Sequence, residues 1–287
     1  MSGERVRYPS SFEMMVIAQE RSALVKQIER CYVHRLGPSR IPQLKVGGER
    51  SIKGAVVPHA AYEYSGPVAA HVFSALAEDG FPETFVIIGG DHVGHGNAVI
   101  TTETFVTSLG KVPVDEELAE KMGIEENPDV HADEHAIGMQ LPFLQHLNPK
   151  IKFVPVYVPS QDMGKAEEAG KKIGRAIKGA DVVVFASTDF THAGPSYGRI
   201  PPRGLRVDEF ARKQDELAIK AILELSPTKL LEAVAEHEIS MCGIGGVVSM
   251  LFALKGLAKS AKLLKYATSY EIRPSADAVG YGAIVIE

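Results

Sequence analysis

Apolar and polar positions along this chain follow two periods, and each period marks a different kind of element. Leu24, Ile28 and Cys31 recur at i, i+4 and i+7, so one helix is predicted over 11–36 with Cys31 on its core face. Short apolar runs then predict strands over 54–57, 84–88, 153–158 and 182–186. Helical stretches at 67–77, 114–122, 134–146 and 162–177 separate them, which is the β-α-β order of a parallel sheet with right-handed crossovers. Residues 98–102 and 104–114, with Gly110 between short runs, predict an antiparallel excursion. Further on, 206–223 is amphipathic, and Ser226-Pro227 opens a helix with a capping hydroxyl before proline. Residues 243–257 are apolar enough for a buried helix, and 263–272 pairs with 279–286 across the turn-like "RPSAD". With no repeat or long linker, the expected architecture is α/β: a single domain over 1–287 with a mostly parallel central sheet flanked by helices.

Composition narrows the function classes. At 287 residues and 45% hydrophobic, the chain can bury a sizeable core. A net charge of -5, with scattered basic residues, gives no footprint for nucleic acid, and Lys171, Lys172 and Arg175 read as a solvated helix face. No apolar run approaches the roughly 20 residues of a membrane span, and no cleavable leader is evident, so a cytoplasmic protein is expected. Cys31 and Cys242 are the only cysteines, which excludes a disulfide framework and fits a reducing compartment.

The chemistry gathers where apolar runs stop. "GAVVPHAAY" meets His59, "FVIIGGDHVGHG" meets Asp91, His92 and His95, and "DVVVFASTDFTHAG" meets Asp189 and His192. A lone histidine at a strand end is ordinarily a loop residue bonded to backbone, but three with matching local grammar point to one site, because ligands of α/β sheets sit beyond the carboxyl ends of the strands. Cys242, in "SMCGIGG", precedes a glycine-rich helix start whose N–H groups and dipole favour thiolate. A thiolate with neutral imidazoles suits a borderline or soft metal. His95 reads as a loop side chain and His71 as part of a helix, while Tyr62 and Tyr64 either line the pocket or cap the first crossover helix. "HADEH", His131 to His135, matches the inverted-zincin motif H-x-x-E-H with Glu134 as base. That motif needs both histidines on one helix, whereas this stretch reads as a loop entering a helix, so a zinc hydrolase ranks last. His135 is better placed as a pocket histidine.

The blocks "VVPHAAYEYSG", "IIGGDHVGHG", "DEHAIGMQLPFLQHL", "STDFTHAG", "MCGIG" and "YATSYE…AVGYGAIVI" resemble those of the Memo family, named for a mediator of receptor-driven cell motility. The resemblance implies the fold of class III extradiol dioxygenases, whose non-haem iron is held by two histidines and a glutamate. Carried over block by block, it implies His59 and His92 as metal ligands, Cys242 at the third ligand position and His192 as acid or base. Asp189 and His135 also fall in matching blocks and join His192 as candidate catalytic residues. The implied cofactor is iron or copper, with zinc also compatible. Cysteine in place of glutamate exchanges a hard oxygen for a soft sulfur. The segment "VRYPSSFEMMV" departs from the family pattern. Two functions follow: a metal-dependent oxidoreductase of dioxygenase-like type, or a non-catalytic adaptor that binds metal or a peptide. In either case the ligand is a small molecule or a peptide, not a nucleic acid or a membrane.

Overall fold

The computed structural model describes residues 5–90 and 92–287. Asp91, which the sequence sets beside His92, lies outside the described residues, as do 1–4.

The chain opens with strand β1 (Val6–Arg7) and helix α1 (Ser11–Val16), where Ser10 and Glu13 form a reciprocal capping box. The predicted helix over 11–36 is two helices, since α2 spans Arg21–Val33. Its interruption has a local cause: the Gln27 amide accepts from Ala18 N at 2.9 Å and donates to Val16 O at 3.0 Å, satisfying backbone groups a continuous helix would have used. Then come β2 (Gly54–Val57), α3 (Gly66–Asp79) and β3 (Thr84–Gly89), close to the predicted bounds. The excursion is β4 (Val99–Ile100), β5 (Thr104–Thr107) and β6 (Gly110–Val112). Only β5 and β6 form a hairpin, and it leaves the main sheet to pair in parallel with β1.

Next are α4 (Glu116–Met122), β7 (Glu125–Glu126), α5 (Pro128–Asp133) and, after a 3-10 turn at Gly138–Gln140, α6 (Leu141–Leu147). The predicted helix over 134–146 thus starts late, leaving Glu134 and His135 on irregular chain. Strand β8 (Lys152–Tyr157), α7 (Met163–Ala176) and β9 (Val182–Ser187) complete the β-α-β series. The chain ends with β10 (His192–Ala193), α8 (Val207–Leu223), α9 (Pro227–His237), α10 (Ile244–Ala253), β11 (Ala261–Thr268), α11 (Ser269–Ile272) and β12 (Ala278–Ile286). Ser226 caps α9 by accepting from Lys229 N, an interaction worth about 1 kcal/mol.

The main sheet runs β10-β12-β2-β9-β3-β8-β4-β7, with β11 paired antiparallel to β12. Its centre, β2-β9-β3-β8, is parallel, and antiparallel strands join on either flank. Alternation along each central strand divides the core. Ala55, Val57, Phe85, Ile87, Val183 and Phe185 pack with α2 and α3 on one face, whereas Val56, Val86, Ile88, Val184 and Ala186 pack with α7 and α10 on the other. Leu24, Ile28 and Phe73 are fully buried, each stabilising the fold by roughly 1.5–3 kcal/mol. Among the described residues no helix is long and apolar enough to cross a membrane.

Because β2, β9 and β3 are parallel neighbours, their carboxyl ends meet at one edge of the sheet. His59 follows β2, His92 follows β3, and Asp189 and His192 follow β9.

Candidate metal centre

One strand ending needs a glycine before its histidine. Gly90 has φ 143, and a Cβ there would stand 2.5 Å from Val158 O, so only glycine lets β3 turn toward His92. Beyond these ends, ring nitrogens of His59, His92 and His135 all lie within 4.8 Å of one another, a group able to hold a metal ion. Cys242 is outside that group and does not line the cavity beyond it, but lies beside it at the start of α10, with Sγ 3.4 Å from His59 Nε2.

The hydrogen bonds fix which nitrogen of each ring is free. Ser187 Oγ donates its single proton to Ala136 O at 2.7 Å, so toward His59 Nδ1, 3.1 Å away, it accepts. His59 therefore carries a proton on Nδ1 and turns Nε2 toward Cys242. Gln140 Nε2, donating to the same hydroxyl at 2.9 Å, enforces that direction. His92 Nδ1 faces Glu134 Oε1 at 2.8 Å, which again leaves Nε2 outward. His192 Nδ1 faces two carbonyls, Phe190 O at 2.9 Å and Ser240 O at 3.2 Å, so it too is protonated there. In all three strand-end rings Nδ1 is held by an outer acceptor and Nε2 is turned away from it, the orientation that such acceptors impose on metal-binding imidazoles.

Electrostatics follow from this packing. Burial pushes the Cys242 thiol up, but the adjacent His59 and His92 imidazoles outweigh it and bring it down to about 6. Burial depresses His92, and its bonds to Cys242 and Glu134 more than reverse that, raising it to about 10. Near neutrality the two form a thiolate and an imidazolium, which a cation would replace by displacing the imidazolium proton. His135 is held well below the usual histidine range by burial and by the charges of His59 and His92, so it stays neutral. Asp189 is raised by burial; its Oδ1 accepts from His59 N at 2.9 Å, fixing the backbone that carries that ring.

The donor set fits a bound metal. A thiolate and an imidazole sharing a tetrahedral ion, with bonds of roughly 2.3 and 2.0–2.1 Å, stand about 3.5 Å apart, and the 3.4 Å between Cys242 and His59 matches. The site opens into a cavity of about 750 Å³ whose walls include His192, Phe12, Tyr64, Tyr197 and Arg273.

His59, His92, His192, Asp189 and His135 all line that cavity. His131 does not. It is buried in α5 with Nε2 3.2 Å from Val99 O, and burial lowers it to about 4. Glu134, at the helix end, is extended rather than helical and spends its carboxylate on His92 and Ala136 N. The "HADEH" stretch therefore places its histidines in different environments, and Glu134 supports a ring instead of facing open space. His71 bonds Leu36 O from within α3, and His95 N donates to Tyr157 Oη. Tyr62 is buried, donating to Met139 O, whereas Tyr64 reaches the cavity. Sequence reasoning missed Ser187, Gln140 and Ser240, because a hydroxyl or amide inside an apolar context carries no pattern of its own.

The model of the family described as Memo-like protein matches residues 16–285. A MEMO1 family protein of Methanopyrus kandleri is 40% identical, covering 91% of this chain and 92% of its own. One from Thermococcus kodakarensis is 39% identical, covering 98% and 99%. Another, from Methanocaldococcus jannaschii, is 38% identical over 99% of each chain.

Proposed function

Since the chain belongs to the Memo-like protein family, we propose that it is a metalloprotein whose mononuclear site uses His59, His92 and Cys242 as ligands, with His135 alongside. The observation that carries this reading is the 3.4 Å approach of the Cys242 sulfur to His59 Nε2, beside the three clustered imidazoles. A soft sulfur with imidazoles suits copper(I), zinc or iron, and the family resemblance favours iron or copper among them. When bound, iron or copper supplies a Lewis-acidic centre able to exchange one electron. His192 then has a role of its own: with Nδ1 pinned to carbonyls, its Nε2 is free to take or give a proton in the cavity. Asp189 positions His59 through the backbone. The reaction class supported best is a metal-dependent oxidoreduction of a small molecule in a reducing, cytoplasmic setting.

The wide cavity favours a second reading, a binder without turnover. Its walls bring Tyr64, Tyr197 and Phe12 together with Arg273, surfaces that suit a peptide side chain as well as a substrate.

The test is anaerobic purification followed by elemental analysis. The parent is expected to carry about one metal ion per chain, His59→Ala to lose it and His131→Ala to retain it. Equal loss in both folded variants would restore the zincin reading; retention in both would remove the metal site. Oxidant consumption by the loaded parent, lost in His192→Gln, separates enzyme from binder.

A further inference from the structure

Residues 6–16 lie almost wholly ahead of the stretch that the family model matches, yet they reach the metal centre by three routes. The first is Arg7, buried to 3% exposure and pinned where β1 pairs with β5. Its guanidinium donates from Nε to His131 O at 3.0 Å and from Nη2 to Glu134 O at 2.7 Å. Those two carbonyls bracket the turn from α5 onto the irregular chain that delivers Glu134 and His135. The second route is Glu13, equally buried, with Oε2 2.6 Å from Arg7 Nη1 and 2.6 Å from Ser10 N. A Cβ on Gly138 would stand 1.7 Å from Glu13 Oε1, so this carboxylate also abuts the backbone just beyond His135. The third is Phe12, whose ring lies 4.3 Å from that of His135 and lines the cavity.

We propose that residues 6–16 are a positioning brace for the metal centre: the Arg7–Glu13 pair fixes the segment from which Glu134 orients His92, and Phe12 fixes the His135 ring. This rests on the metal reading above. Three of the guanidinium's donors are committed to three different partners in a planar fork, and lysine, a single point of charge, cannot reproduce that pattern. Disturbing the brace lets Glu134 and His135 shift while every ligand remains, so the metal binds in a looser, differently shaped site.

The test uses the full chain under anaerobic conditions with cobalt(II) as probe, since its visible absorption reports ligand geometry independently of turnover. Arg7→Lys and Phe12→Leu are each expected to weaken cobalt binding by roughly tenfold or more and to alter the absorption band. Ile173→Val, buried in α7 on the far face of the sheet, loosens the core without touching the brace and keeps the parental affinity and band. Phe12 is only half-buried, so its variant stays informative if the Arg7 variant fails to fold. Parental affinity and spectrum in the folded Arg7 and Phe12 variants, with binding abolished in His59→Ala, would overturn the brace alone. Parental binding in His59→Ala would overturn the metal reading and the brace together.

Discussion

Cys242 Sγ and His59 Nε2 stand 3.4 Å apart across 183 residues of sequence. The contact joins the start of α10 to the end of β2, and Asp189 N also donates to the sulfur at 3.3 Å. The two cysteines of the chain are thus opposite in character. Burial pushes Cys31 up to about 12, and its thiol bonds Gln27 O within α2, so it stays protonated and inert.

From this contrast, Cys242→Ser is expected to lose at least roughly tenfold in copper(I) or iron(II) affinity, about 1.4 kcal/mol, because a hydroxyl is a poor donor where a thiolate stood. Cys31→Ser should leave affinity unchanged and shift stability by about 1–2 kcal/mol. Anaerobic titration paired with denaturant melts of both variants checks this; parental affinity in Cys242→Ser would remove the sulfur from the site.

Ser187 gives a prediction about tautomers. Its hydroxyl is committed to Ala136 O, which makes it the acceptor for His59 Nδ1–H. In Ser187→Ala the ring loses that acceptor and the preference for a bare Nε2. Metal affinity should fall roughly tenfold to a hundredfold with the fold intact, read by titration and by the NMR shifts of the His59 ring nitrogens. Unchanged shifts would show that Ser187 does not set the tautomer.

Asp215 provides a pH dependence away from the metal. It is fully buried in α8, accepts from Thr191 N at 2.9 Å and Tyr266 Oη at 2.6 Å, and burial raises it to about 6 despite these bonds. Between the unfolded value near 3.8 and about 6 the folded chain binds the extra proton, so this group's stabilisation is full below 3.8 and lost as pH rises through 6. The swing is on the order of 3 kcal/mol. Asp215→Asn should therefore gain stability relative to the parent as pH climbs from 4 to 7, measured by denaturant midpoints. A difference constant with pH would contradict it.

The parallel strands and their histidines were legible because both are local signals: an apolar run stops, and an imidazole follows within a few residues. The shared edge of β2, β9 and β3 then does the rest. What was not legible depends on side-chain bonds to backbone groups that leave no periodic pattern, some near in sequence and some distant. The break before α2 comes from the Gln27 side chain folding back on Val16 and Ala18. The late start of α6 goes with Arg7 holding the carbonyls of His131 and Glu134 from a strand 124 residues before His131 in sequence. Glu134 illustrates the limit best: its spacing from His131 suggested a catalytic base, whereas its carboxylate supports His92.

X-ray absorption at the metal edge distinguishes one metal ion held by sulfur and imidazole together from every other ligand set. The anaerobically loaded parent should show one sulfur scatterer at roughly 2.3 Å with nitrogen neighbours at about 2.0–2.1 Å, the sulfur shell vanishing in Cys242→Ser. A parent spectrum with nitrogen and oxygen alone, or a sulfur shell that survives Cys242→Ser, would contradict it.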